Sequence, residues 1–296
     1  MKYNNLIRYG FTDRFAQEAT LYEGFFPARI TQQHRDLYKV VGEKGELQAG
    51  VSGNFIYRVN DNSDFPAVGD WVMLDRTDNS AGNAVIHHIL RRKSVFERKA
   101  AGTANNIQIV AANIDTVFLC MSLNADFNLR RLERYLSIAW NSMATPVIVL
   151  TKSDLCKDLD QKLAQLSKVS LGTDVMVCSS KEENGYEAVR AYVQEGKTIA
   201  FIGSSGVGKS TLINRLAGID LMETAEIRED DDKGRHTTSH RQLILLPGGG
   251  IVIDTPGMRE LQLESADFSR AFEDVEELAE ECRYRDCSHN SEPGCA

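Results

Sequence analysis

The sequence predicts three units in order. An N-terminal OB-type β-barrel comes first, then a P-loop α/β domain whose motifs run in rotated order, then a short helical domain closed by a metal. Three observations predict this. Five short β runs separated by turn residues fall between Ala28 and Phe96. From about Ile114, strands alternate with helix-length stretches around a glycine-rich loop. The last fifteen residues hold three cysteines and a histidine. The divisions implied are 1–98, 99–262 and 263–296.

Composition sets the class. At 296 residues, with 42% hydrophobic and 26% charged residues, the chain is a soluble globular protein too long for one typical domain. No apolar run approaches the roughly 20 residues that span a bilayer. The start, MKYNNLIRYGFTDRF, lacks the apolar centre of a secretory signal. A cytoplasmic chain with no membrane partner is expected. Cys120, Cys156 and Cys178 lie scattered, so no disulfide framework is read from them. The net charge of −8 argues against broad nonspecific binding to nucleic acid. A local basic group (Arg91, Arg92, Lys93, Arg98, Lys99) leaves room for RNA contact, although such groups are usually solvated surface. Acids gather at 229–232 and 273–281.

The elements follow in order. Residues 1–26 read as an extension with a short helix around 13–21. ARIT, LYKVV, LQAGV, DWVML and AVIHHIL are the barrel strands, punctuated by GEKGE, NDNSD and NSAGN. Five strands in about 70 residues suit a small barrel, and the OB type is the common nucleic-acid-binding one. TVFLCMSL is a buried strand, and Leu129, Leu132, Leu136, Ala139 and Trp140 give 129–142 helical spacing. PVIVL is the next strand and ends on Thr151. A helix over 159–169, strand DVMVC and a helix over 186–194 follow. TIAFI then runs into the glycine-rich loop, with a helix behind it over 210–216, and GIVIDTPG closes the series. After Leu263 the chain turns acidic and helical to about 281.

GSSGVGKS matches G-x-x-x-x-G-K-S between a strand and a helix, the context that motif requires. Gly203, Ser204, Ser205, Gly206, Val207 and Gly208 let the backbone curl so that N–H groups face a β-phosphate at a helix N-terminus, with Thr211 just inside the helix. Lys209 reaches the β- and γ-phosphates and takes a catalytic share, while the Ser210 hydroxyl holds Mg²⁺. Asp254 ends a buried strand, where a carboxylate is costly without a partner; Mg²⁺ held through water supplies one. Gly257 offers its N–H to a γ-phosphate.

Base choice falls to TKSD: Thr151, Lys152, Ser153 and Asp154. The Asp154 carboxylate accepts both N1–H and N2–H₂ of guanine, whereas adenine offers an acceptor at N1 and no 2-amino group. A site built on such a pair rejects the wrong base by roughly 10⁴–10⁵-fold at best, so GTP and GDP are the ligands and ATP the weaker alternative. Lys152 lays its stem over the ring. Ser179, Ser180 and Lys181 suit a loop whose backbone meets guanine O6. Thr151 stands where asparagine is usual; a hydroxyl replaces part of its tethering, so somewhat weaker nucleotide binding is expected. TKSD precedes the phosphate loop and DTPG follows both, whereas an ordinary GTPase reads phosphate loop first and base motif last. The central domain is therefore a circularly permuted P-loop α/β GTPase. Met258 occupies the place of a water-orienting glutamine, which leaves His236 the nearest candidate for that work. Thr237 or Thr238 completes the Mg²⁺ shell.

Cys282, Cys287, His289 and Cys295 give C-x₄-C-x-H-x₅-C, a closed tetrahedral set for one structural Zn²⁺. Metal binding then supplies the folding energy of a segment too short for its own core. The chain stops one residue after the last ligand, which points to a boundary short of the natural end.

The rotated TKSD, SSK, GSSGVGKS, KGRHTT and DTPG, followed by the cysteine cluster, resemble the ribosome small-subunit-dependent GTPases, the RsgA or YjeQ/YloQ family. The likeness covers nearly everything beyond the first 25 residues or so. It implies the barrel, the permuted GTPase and the helical zinc domain. It also implies GTP hydrolysis stimulated by the small (30S) ribosomal subunit during its late maturation, with contacts to rRNA. By the same resemblance His236 is the catalytic group. Two features depart from the family pattern: Thr151, and the lack of a helical tail past the last zinc ligand. A monomer is expected. The competing class is a nucleotide-dependent scaffold or signalling switch with a protein partner. A further expectation is that GTP-dependent ordering around 254–258 swings the zinc region and gates release from the ribosome.

Overall fold

A computed structural model describes residues 3–34, 37–59, 61–99, 107–124, 126–170, 172–179, 181–182, 185–219, 241–254 and 282. Two short helices open the chain, α1 (Asn4–Arg8) and α2 (Asp13–Ala19). They bury Leu6, Phe11, Phe15 and Ala19 against Trp71, Met73 and Leu90. The Phe11 and Phe15 rings lie 4.7 and 5.8 Å from that of Trp71.

The barrel is built from β1 (Phe26–Gln33), β2 (Tyr38–Gly42), β3 (Gly45–Val51), β4 (Trp71–Leu74) and β5 (Ala84–Ile89), with α3 (Gly53–Arg58) between β3 and β4. The core-facing residues stand at alternate positions, Ala28 and Ile30, Leu47 and Ala49, Val72 and Leu74, Ala84 and Ile86, while β1 and β4 are buried along most of their length. β1 pairs with β2 and β4, β2 with β3, β3 in parallel with β5, and β5 with β4, so the ring closes. Closure leaves no free edge. The sequence reading missed α3, a single turn and a half held by Ser52 Oγ accepting from Phe55 N at 3.0 Å.

A second ribbon, β6 (Val95–Lys99) with β7 (Ile107–Ala112), straddles the expected division at 98/99 and was also missed. Beyond it stand β8 (Thr116–Ser122), α4 (Leu129–Ser142), β9 (Thr145–Thr151), α5 (Leu159–Leu166), β10 (Asp174–Val177), α6 (Glu187–Arg190), β11 (Thr198–Ile202), α7 (Lys209–Ala217), β12 (Gln242–Leu245) and β13 (Ile251–Asp254). These strands run in the order β10-β9-β8-β11-β13-β12, parallel except for β12. β8 and β9 are buried on both faces, as parallel strands covered by helices must be. The helix expected over 186–194 is only α6. Beyond it Tyr192 and Val193 donate to carbonyls three residues back, at 3.1 and 2.9 Å, tightening the chain ahead of Gly196.

The barrel joins this sheet directly. Gln32 of β1 pairs with Gln242 of β12, giving one eleven-stranded sheet. Arg29 is buried at the seam, where its guanidinium donates to Gly69 O and Asn113 O, each at 3.2 Å, and to Tyr9 O. Burial pushes its pKa down to about 10, opposed by Asp115 and Asp70, so it stays charged at neutral pH. Gly69 has φ +93°, and a Cβ there would meet Ala112 O at 2.1 Å, so no side chain fits.

The basic group expected as an open surface is largely occupied. Arg92 binds Asp70 at 2.7 and 2.8 Å and also donates to Ser63 O and Phe65 O. Lys93 binds Asp115 at 2.6 Å, and Arg98 donates to Gln108 Oε1 at 3.3 Å. Among the described residues no helix is long and apolar enough to cross a membrane.

Candidate active site

β11 ends at Ile202 and the chain turns at once through Gly203, whose added Cβ would lie 2.6 Å from Cys120 O on β8. Gly206 and Gly208 take φ of +72° and +106°, the region glycine alone enters freely. α7 then starts at Lys209, with its first N–H groups and its dipole aimed at the curl. Lys209 is buried and folds back, donating from Nζ to Gly203 O at 2.7 Å and Ser204 O at 2.6 Å. The cradle is thus shaped by chain geometry alone, and it fits a chain of phosphates.

The base motif reaches the same place from β9. Thr151 is buried, and its Oγ1 donates to Val207 O of the phosphate loop at 2.6 Å, with Met121 O at 3.4 Å. The hydroxyl therefore makes the link between base motif and phosphate loop that the sequence left in question. Lys152 follows in the left-handed region, φ +58°, an uncommon state for a side chain this long. A 3₁₀ turn, Ser153–Leu155, then presents Asp154. Asp154 Oδ1 accepts from Ser179 Oγ at 2.7 Å, and Lys181 Nζ stands 3.9 Å from Oδ2. Ser153 N donates to Cys178 O at 3.3 Å, which ties the two loops together. Asp154 and the loop ending at Lys209 are consequently parts of one cluster at the C-terminal ends of β8, β9, β10 and β11, the edge where open α/β sheets bind ligands.

Asp254 is buried at the end of β13, the strand beside β11, so a carboxylate and the Ser210 hydroxyl rise from neighbouring elements. That pairing suits a hard cation such as Mg²⁺. Burial raises the thiols of Cys120 and Cys178 to about 12 and about 11, which makes them neutral core groups rather than nucleophiles. Ser180, His236, Thr237, Thr238, Gly257, Cys287, His289 and Cys295 lie outside the described residues, as does the 254–258 gate apart from Asp254. Cys282 is half-buried. Among the described residues no group of three or more His, Cys, Asp or Glu side chains is arranged to hold a metal.

The pattern of the RsgA GTPase family matches residues 89–264. The small ribosomal subunit biogenesis GTPase RsgA 2 of Lactiplantibacillus plantarum is 53% identical over 293 residues, covering 99% of this chain and 82% of that protein. This chain belongs to the RsgA GTPase family. The RsgA of Methanosarcina acetivorans is 41% identical, covering 97% of this chain and 77% of its own length. Among solved structures, YjeQ from Thermotoga maritima superposes with a TM-score of 0.67 at 25% identity, over 92% of this chain and 89% of that one. YloQ, described as a circularly permuted GTPase, gives 0.62 at 25% identity, over 93% and 87%. As an RsgA GTPase the chain is a GTP-hydrolysing enzyme that uses GTP, GDP and Mg²⁺, with a permuted GTPase fold behind an OB-like barrel.

Proposed function

We propose that this RsgA-family GTPase acts in the cytoplasm as a monomeric late-stage maturation factor, hydrolysing GTP when it meets the small ribosomal subunit and its rRNA. The observation that carries the reading is the 2.6 Å link from Thr151 to Val207, which gathers base motif and phosphate loop into one cleft. Relatives named for small ribosomal subunit biogenesis support the partner. A polar barrel hollow lined by Gln32, His34, Gln48 and Asn79, with Lys39 paired to Glu46 at 2.7 Å, supports RNA contact, since OB barrels bind oligonucleotides across this kind of strand face.

Asp154 takes the guanine edge, Lys152 covers the ring, and Thr151 and Ser153 set the turn, with Ser179, Ser180 and Lys181 closing over O6. Backbone N–H groups of 203–210 and Thr211 cradle the phosphates, and Lys209 Nζ offsets charge that builds between the β- and γ-phosphates. Ser210, Asp254 and one of Thr237 and Thr238 hold Mg²⁺, which supplies charge neutralisation when bound. Gly257 N–H meets the γ-phosphate, and His236 orients the attacking water. Cys282, Cys287, His289 and Cys295 hold a structural Zn²⁺ in a helical domain at 263–296, behind a GTPase domain at 99–262 and a barrel unit at 1–98. GTP turnover measured with and without purified small subunits tests the reading. A marked rise is expected; unchanged turnover would point instead to a nucleotide-dependent scaffold.

A further inference from the structure

The loop between β8 and α4 carries a carboxylate that none of the nucleotide motifs includes. Ser204, second residue of the phosphate loop, donates from Oγ to Asp126 Oδ2 at 2.7 Å. On its other side Arg131, in the first turn of α4, donates to Asp126 Oδ1 at 2.9 Å and to the Asp126 carbonyl at 3.2 Å. Asn124 Oδ1 accepts from Asp126 N at 3.0 Å and from Ser122 Oγ at 2.8 Å, which roots the loop in the end of β8. The carboxylate is therefore held from two sides, by Ser204 and Arg131, while Asn124 and Arg131 hold the Asp126 backbone.

The two limbs of the phosphate loop differ in what holds them. Val207 is buried and pinned by Thr151. Ser205 and Gly206, on the other limb, are exposed and have little packing of their own. Left free, that limb would have to be ordered each time a nucleotide bound, at a cost in conformational entropy. The Ser204–Asp126 bond holds the base of this limb in place beforehand. Arg131 balances the carboxylate's charge, so Asp126 can stand beside a phosphate site without opposing an anion. Burial works to raise the Asp126 pKa, but the Ser204 bond, Arg131 and the Lys152 charge together hold it below the usual carboxylate range.

We propose that Asp126 is a positioning residue for guanine-nucleotide binding: it sets the exposed limb of the phosphate loop through Ser204. The inference rests on the reading of 203–210 as the nucleotide cradle. Its test is a double-mutant cycle on the full chain, with labelled-GDP affinity measured for Asp126→Ala, Ser204→Ala and the pair. Each single change is expected to raise the Kd roughly tenfold, the size of one hydrogen bond to a charged acceptor. The double variant should bind no more weakly than the poorer single, and Asp126→Asn, which keeps an acceptor, should recover part of the loss. Unchanged affinity in Asp126→Ala, or additive losses in the pair, would overturn the proposal. If Asp126→Ala fails to fold, Ser204→Ala alone decides, since it removes only the hydroxyl that reaches the carboxylate. Wild-type chain that binds no GDP would instead sink the nucleotide reading itself.

Discussion

Thr151 shows how one side chain decides the geometry of the cleft. Its hydroxyl spans the gap between β9 and the phosphate loop, and both partners of that bond are buried. Thr151→Val keeps the shape and removes the donor, leaving Val207 O without it. An orphaned buried acceptor costs about 1–3 kcal/mol. GDP affinity should fall by about tenfold or more, with the melting temperature of the apo protein lowered as well; isothermal titration reads the first and calorimetry the second. Asp126 adds a pH signature. Its folded pKa is depressed, so its contribution is fully present above the ordinary carboxylate value and is lost as pH falls through the lowered one. GDP affinity should therefore owe no titration to Asp126 around neutral pH, and a loss traceable to this residue should emerge only below about pH 4. A loss near neutrality that Asp126→Asn abolishes would contradict this.

Elements that carry their own pattern were legible, and those defined by partners were not. Short β-forming runs set between turn residues marked the barrel strands, and β8, β9 and β11 are unbroken apolar runs, so these patterns found them. β6 hides its pairing because it ends in Glu97, Arg98 and Lys99, charges that read as surface. α3 is too short for a helical period to register. The basic group around Arg92 and Lys93 looked open because its acids, Asp70 and Asp115, stand 22 residues away in either direction. Asp126 gave no signal, since a loop aspartate has no local mark of what it will meet. The spacing from Leu129 marked where α4 begins, and the structure adds what fixes that end: Asn128 Oδ1 accepts from Arg131 N at 3.0 Å, a side-chain N-cap. Asn128→Ala should cost about 1 kcal/mol. Because α4 positions Arg131, the same variant should weaken GDP binding slightly; urea midpoints and titration together test both effects.

Across the whole molecule, barrel and GTPase sheet form one continuous structure. Arg29 fixes the N-terminal segment, the barrel and the strand leading into β8 by donating to Tyr9, Gly69 and Asn113 carbonyls. Arg29→Met fills much of the volume and strands those acceptors in a buried seam. A loss of at least about 3 kcal/mol is expected, seen as a lower melting temperature and as easier proteolysis between barrel and core. On the far side, Arg241 donates to Ile109 O and Gln108 Oε1 on β7 while Gln242 pairs with β1, so the strand entering the sheet beside β13 is anchored on the barrel side. The barrel consequently has a short hydrogen-bonded path to Asp254, which pairs with Gln242 across β12 and β13. All of this depends on a guanine nucleotide being held between Asp154 and the phosphate loop. Thermal melting with saturating GDP or ADP tests that most directly. At a hundred times its Kd, GDP should add about 2.7 kcal/mol of stability and raise the melting temperature by several degrees, while ADP leaves it unmoved. Equal shifts with both nucleotides, or none with either, would contradict it.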